Sequence, residues 1–178
     1  GLVALGVTRA SVGVQDFSDA VQEAINRPQT FEQTRDVIAA LRATGIHSLN
    51  IDALYGLPLQ TEERLVSTID QVLSLAPDRI ALFGYAHVPW LKKHQTLIRD
   101  EDLPGTMERF HHAALAADRI AAAGYDRIGI DHFAKPGDTM GIAAREGRLF
   151  RNFQGYTTDA CRTLIGLGAS SISSYGDA

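Results

Sequence analysis

Two kinds of pattern alternate along this chain. Short runs of apolar and β-branched residues give way to longer stretches whose apolar residues recur every three or four positions. Arg9 to Gln15 reads as a strand and Asp19 to Ile25 as a short helix, broken at Asn26-Arg27-Pro28. Thr30-Phe31-Glu32-Gln33 has the spacing of a capping box and opens a helix to about Arg42, with Phe31, Val37, Ile38 and Leu41 inward and Gly45 as its left-handed cap. A second strand from Ser48 runs out through Asp52 into the turn Gly56-Leu57-Pro58. Thr61 then opens a helix that buries Leu65, Ile69, Val72 and Leu73, and Pro77 ends that segment. Arg79 to Tyr85 is a third strand, followed by a long loop carrying His87, Trp90 and Lys92-Lys93. Thr106 is expected to cap a helix with Phe110, Ala114, Ala117, Ile120 and Ala121 on one side, closed by Gly124. Tyr125 to Asp131 reads as a fourth strand, Met140 to Arg145 as a short helix, Gly147 to Thr158 as irregular, and Thr163 to Ser173 as a final Gly-interrupted strand.

Strands alternating with helices at this spacing predict βαβ units and an α/β fold with a parallel sheet, its strands apolar on both faces. Five strands do not close an eight-stranded barrel of about 250 residues, so an open sheet or a partial barrel is expected. In either, ligands bind at the C-terminal ends of the strands.

Composition narrows the function classes. A net charge of -4 disfavours general nucleic-acid binding. No apolar run approaches the roughly 18 residues of a membrane span. The single cysteine, Cys161, excludes an intrachain disulfide and a multi-cysteine metal site. A cytoplasmic setting is the expectation. The absent initiator Met, and a last strand-like run with nothing to pack over it, point to one domain over 1-178 that is truncated at both ends.

The predicted strand ends carry Gln15-Asp16, Asp52, Phe83 to His87 and Asp131-His132. Each has an ordinary alternative: Asp52 as a turn cap, Asp131-His132 as a satisfied turn pair, His87 as a loop residue. Two functional readings stay open on these residues alone. One is a metal-dependent hydrolase with Asp52, His87, Asp131 and His132 as mixed oxygen and nitrogen ligands. The other is a cofactor-binding barrel. In that case Asp52 and Gln15 meet a ligand's amines or hydroxyls, and Phe83 to Ala86 supplies backbone groups and an apolar face.

Six segments carry a resemblance. They are Ser11 to Phe17, Asn50-Ile51-Asp52 with Tyr55 to Pro58, Tyr85 to Pro89, Asp131 to Pro136, Arg151 to Thr158 and Gly168 to Ser173. In this order and spacing the chain resembles the oxygen-independent coproporphyrinogen III oxidases, which are radical S-adenosylmethionine (SAM) enzymes. Asp16-Phe17 and the whole Arg151 to Thr158 segment favour the oxidase branch over heme-handling relatives in the same family. The resemblance implies a (β/α)6-type partial barrel of radical SAM type, of which this chain is the C-terminal half plus added strands. It implies a [4Fe-4S] cluster that reduces SAM to a 5′-deoxyadenosyl radical. That radical takes hydrogen from a porphyrinogen propionate, and two propionates in turn become vinyl groups in heme biosynthesis. By the same resemblance Gln15, Arg27, Asp52 and Ala86 match positions contacting the cluster-bound SAM. Phe83, Gln154 and Ile172 match positions near a second SAM. The partner implied is a porphyrinogen, not nucleic acid or membrane, with a monomeric parent enzyme.

The chain departs from the family in one respect that matters chemically. The family's cluster is held by a CxxxCxxC motif, and this sequence contains none. The glycine-rich segment that contacts the SAM amine is also missing. The expectation is that the 178-residue chain alone is inactive and poorly soluble.

Overall fold

A computed structural model describes residues 1–152 and 155–176. The predicted Gln154 site falls outside the described residues. After a 3-10 turn at Leu2–Leu5 come β1 (Arg9–Gln15), α1 (Asp19–Ala24), α2 (Phe31–Ala43), β2 (Ser48–Tyr55), α3 (Glu62–Ser74) and β3 (Arg79–Gly84). Two further 3-10 turns, Lys93–Leu97 and Asp100–Asp102, lead to α4 (Thr106–Ala122). The chain continues through β4 (Asp126–Ile128), β5 (His132–Ala134), α5 (Thr139–Arg145), β6 (Phe150–Asn152) and β7 (Gly155–Thr157).

The helix signals behave as their chemistry requires. At Thr30 both halves of the capping box form: the Gln33 N–H donates to Thr30 Oγ1 at 3.1 Å and the Thr30 N–H to Gln33 Oε1 at 3.0 Å. Thr61 accepts from the Arg64 N–H and starts α3. Gly45 sits at φ 95°, the left-handed conformation that ends α2. Within α2, Ile38 is buried, while Val37 from the predicted stripe is half exposed.

The main sheet has the order β1-β2-β3-β5-β4. β1, β2 and β3 are parallel, whereas β3–β5 and β5–β4 are antiparallel. The fourth predicted strand is therefore not one parallel strand but half of a hairpin. Gly129, at φ 63°, takes the left-handed conformation in the middle of the Tyr125 to Asp131 run and turns it back. The final predicted strand does not form either. Between Thr163 and Ser173 the one ladder contact is an isolated bridge, Leu164 to Ser174, and Ile165, Leu167 and Ile172 are exposed.

Alternation sorts the parallel strands into two faces. Leu49, Ile51 and Ala53 of β2 point under the helices, into a core with Ile38, Leu65, Ile69, Val72, Ala116 and Ile120. The opposite face is polar, carrying Ser11, Asn50, Asp52 and Arg79. The expectation of strands apolar on both faces fails because helices cover only one of them.

α4 is turned relative to its sequence pattern. Its N-cap is Gly105 rather than Thr106, and its inward residues are His112, Ala116, Ala117 and Ile120, with Phe110 exposed. Arg109, next to Phe110 on this helix, reaches back to the ends of β2 and β3. Its Nη2 donates to the Tyr85 carbonyl at 2.5 Å, and its stem lies so close over Gly56 that a Cβ there would be 2.9 Å from Nε. His112 is fully buried, and both ring nitrogens lack a hydrogen-bond partner among the described residues.

One polar knot joins β1, the β2–α3 turn and α3. Asp16 has no exposed surface. Its carboxylate accepts from Gln60 Nε2 at 2.7 Å, from Thr68 Oγ1 at 3.0 Å and from the Ser18 N–H at 2.6 Å. Gln60 uses its other end to accept from the Gly56 and Leu57 N–H groups. Burial lifts the Asp16 carboxyl above its ordinary range, and these donors pull it partly back.

Two outcomes follow for stability. A raised folded-state carboxyl contributes stability that is fully present below its unfolded value and is lost as pH rises through the folded value. The stability difference between the unsubstituted protein and Asp16→Asn should therefore shrink as pH rises from about 4 toward 7, read by thermal unfolding. A pH-independent difference would contradict the assignment. Replacing the orphaned His112 by Leu or Met should raise stability by about 1 kcal/mol, since it removes a buried polar group without a partner; a loss in denaturant titration would show that the ring is satisfied after all.

Candidate active site

The polar face of the sheet is organised by register. One cross-strand row consists of Ser11, Asn50 and Arg79, and the next consists of Gly13, Asp52, Ala81 and His132. Arg9 opens β1 below them, opposite Ser48. These rows form the floor of a cavity of about 540 Å³, whose walls include Phe83, Met140, Asn152 and Tyr156.

Asp52 sits in the floor with both carboxylate oxygens engaged. Ser11 Oγ donates to Oδ2 at 3.1 Å, and Asn50 Nδ2 donates to Oδ1 at 2.6 Å. Asn50 Nδ2 also reaches Ser11 Oγ at 2.9 Å, which closes a triangle that fixes the acid's orientation. Each oxygen keeps a lone pair for a ligand donor. Asp52 is thus oriented by its neighbours and does not serve as a turn cap.

Gly13, the register partner of Asp52, is where Gln15 and Arg27 arrive. Arg27 Nη2 donates to the Gly13 carbonyl at 2.8 Å. A Cβ on Gly13 would lie 3.0 Å from Gln15 Nε2 and 3.1 Å from Arg27 Nη2. Gln15 itself is in the left-handed region, φ 68°, and the ladder slips by a bulge between Gly13 and Gln15. Such a conformation costs a non-glycine residue roughly 1 kcal/mol or more, and the bulge re-aims its side chain. Three of the predicted residues, Gln15, Arg27 and Asp52, are therefore brought together at the end of β1. An acid acceptor, an amide and a guanidinium with unused donors fit a ligand bearing hydroxyl, amino and carboxylate groups, as SAM does.

The remaining predicted residues divide. Phe83 lines the same cavity and stands edge-on to His132, with ring centroids 5.7 Å apart. Ala86 follows β3, and its carbonyl accepts from Gln95 Nε2, while Gln95 Oε1 accepts from the Val88 N–H at 2.6 Å. That buried glutamine anchors the start of the long loop. Ile172 is 57% exposed and does not line the cavity, a consequence of the strand that failed to form.

The four ligands imagined for a metal hydrolase do not converge. Asp52 is taken up by Ser11 and Asn50, and His87 leans on Tyr85 and Asp100. Among the described residues no group of three or more His, Cys, Asp or Glu could hold a metal ion. Cys161 is exposed, and its thiol is raised by the hydrogen bond and charge of Asp159, which opposes the thiolate that a metal needs. The residues present do not fit an iron–sulfur cluster.

Sequence reading places His132 on the rim, where the structure also has it, but passes over Arg79 and Tyr156. Arg79 is buried, pairs with Asp138 at 2.8 Å and donates to Thr139, which pins α5 beside the cavity. Period-two reading of β3, which sets Arg79, Ala81 and Phe83 on one face, contains the signal for Arg79. His132 reaches the rim by starting the antiparallel β5, not by ending a parallel strand.

Comparison with known proteins bears on the fold and the family. A profile of the radical SAM superfamily matches residues 1–72. An oxygen-independent coproporphyrinogen III oxidase of Cereibacter sphaeroides is 59% identical over 170 residues, covering 96% of this chain and 38% of that relative. One from Pseudomonas aeruginosa is 46% identical, over 97% of this chain and 38% of its own length. The solved structure of coproporphyrinogen III oxidase (HemN) from Escherichia coli, described as a radical SAM enzyme, superposes with a TM-score of 0.91 at 44% identity. That match covers 99% of this chain and 41% of the other. The chain thus spans about two fifths of the length of these relatives. The hydrolase and heme-handling readings are not favoured by relatives so named. Over the segment that it covers, the chain belongs to the family of oxygen-independent coproporphyrinogen III oxidases, within the radical SAM superfamily.

Proposed function

We propose that residues 1–178 are part of one radical SAM partial-barrel domain in an enzyme that oxidatively decarboxylates two propionates of coproporphyrinogen III to vinyl groups, giving protoporphyrinogen IX. The observation that carries this reading is the gathering of Gln15 and Arg27 around Gly13, whose register partner Asp52 lines the cavity. In this role Asp52, held by Ser11 and Asn50, accepts from the ribose hydroxyls of SAM. Arg27 takes the methionine carboxylate in a fork, Gln15 adds an amide, and backbone at Ala86 meets the base. Phe83 contributes an apolar wall, and Gln154 and Ile172 remain proposed neighbours of a second SAM.

A [4Fe-4S] cluster with SAM would supply the one-electron chemistry for hydrogen abstraction from the propionate, and the residues present here would not hold that cluster. The cysteines that hold this cluster belong to sequence outside the 178 residues, because Cys161 alone cannot supply them. This chain's own share is to bind and orient the cofactor and to shape the space in which the propionate meets it. A cytoplasmic, monomeric parent enzyme completes the proposal. Among the described residues no helix is long and apolar enough to cross a membrane.

The deciding experiment is anaerobic conversion of coproporphyrinogen III by the full-length protein after cluster reconstitution. Absence of protoporphyrinogen would overturn the reading. Asp52→Ala in that protein should weaken SAM binding about tenfold or more, since a charge-assisted hydrogen bond is worth about 1.5–3 kcal/mol. Asp52→Asn should also weaken binding, because it removes the charge and turns one of the two acceptor positions into a donor; isothermal titration with SAM measures both. The isolated chain, given iron and sulfide, should release no 5′-deoxyadenosine from SAM, and release of that product would refute the assignment of the cluster to another segment.

A further inference from the structure

We infer that His132 is a substrate-binding residue whose Nε2 accepts a hydrogen bond from a pyrrolic N–H of the tetrapyrrole, with Asp131 as the positioning residue that fixes the ring for this task. The inference rests on the function proposed above and names a contact on the substrate side of the same cavity.

The first ground is the Asp131 pair. His132 Nδ1 lies 2.6 Å from Asp131 Oδ1. An ionised carboxylate only accepts, so Nδ1 carries the proton and Nε2 of the neutral ring is left as an acceptor. Among the described residues Nε2 has no hydrogen-bond partner. Yet the ring is only 8% exposed and lines the cavity.

The second ground is how the ring is held. Phe83 stands edge-on to it on one flank, at 5.7 Å and 83°, and Tyr156 on another, at 5.6 Å and 88°. The β6–β7 hairpin comes so close that a Cβ on Gly155 would lie 2.9 Å from Cε1 and 3.1 Å from Nε2. Gly155 has φ 129°, a conformation that glycine adopts freely. A carboxylate, two rings and a glycine backbone thus determine one orientation of one imidazole.

The third ground is position. His132 shares its cross-strand row with Asp52, two strands away across Ala81, which is about 10 Å. The acid in that row is the proposed cofactor contact. The histidine in the same row faces what lies beside the cofactor. Along β1 from this row, Arg9 opens the strand four residues away from Gly13, about 13 Å. Acceptors in the upper row and a guanidinium at the base match a ligand with ring N–H donors at its centre and carboxylates at its periphery.

Two near-isosteric variants of the full-length, reconstituted protein separate this from a structural role. His132→Asn can still donate to Asp131 but has nothing at the Nε2 position, whereas His132→Gln can set its amide oxygen there. The Asn variant should raise KM for coproporphyrinogen about five- to tenfold, the size of one net hydrogen bond, with SAM affinity unchanged. The Gln variant should stay within about twofold of the unsubstituted protein on the same scale. Equal KM values for all three proteins, or a parallel loss of SAM affinity, overturn the inference. A measurement that needs no variant is NMR of isotope-labelled histidine: the His132 Nε2 resonance should move when coproporphyrinogen is added, and an unmoved resonance overturns the assignment. Failure of the unsubstituted protein to bind coproporphyrinogen at all would instead overturn the function proposed above, and this inference with it.

Discussion

The buried carboxylate of Asp16 is the constraint on which the site depends. A charge with no exposed surface is tolerable only when fully hydrogen-bonded. Gln60, Thr68 and the Ser18 amide meet that demand. Because each donor comes from a different element, satisfying one side chain fixes three elements at once. The chain leaving β1 must turn inward to deliver Asp16. The bulge and the left-handed conformation at Gln15 are the backbone form of that turn. Gln60 in turn closes the Gly56–Leu57 corner just beyond β2, so the strand that carries Asp52 is held from the same point. The residues proposed for the cofactor side sit beside a polar knot that does not itself line the cavity.

The two faces of the sheet divide the labour. Helices α2, α3 and α4 take the apolar positions of the strands, and the polar positions are left to build a floor. Several polar side chains in that floor are oriented by others. Ser11 and Asn50 hold Asp52, Asp131 holds His132, and Asp138 with Thr139 holds Arg79. Groups fixed this way lose little further freedom when a ligand arrives, which is the physical content of preorganisation.

Much of this was legible in the chain because the signals were local. Thr30 and Thr61 cap their helices through atoms three residues away, and Gly45 ends one by its own backbone freedom. Gln15, Arg27, Asp52 and Phe83 were singled out, and the fold gathers the first three at one strand end and puts Phe83 in the cavity wall with Asp52. What escaped depends on partners distant in sequence. α4 turns His112 inward and Phe110 outward, and Arg109 reaches the distant Tyr85 carbonyl, which no periodicity of that helix encodes. The Tyr125 to Asp131 run alternates like a strand, and its Gly129 was the available hint of a hairpin. Ile172 sits in a stretch with strand composition but no neighbour to complete its ladder, so composition alone misled there.

The row arrangement of the cavity floor carries a consequence for how such a sequence can change over generations. Adding or deleting one residue inside β2 would exchange Asn50 and Asp52 for the apolar neighbours that now face the helices, and would lose core and ligand groups in the same event. Strand lengths are therefore frozen together with the chemistry. The loop from Ala86 to Gly105 is anchored near its start by Gln95 and at Asp102 by the Leu59 N–H. Between those anchors a change of length would disturb neither the strands nor the groups they carry.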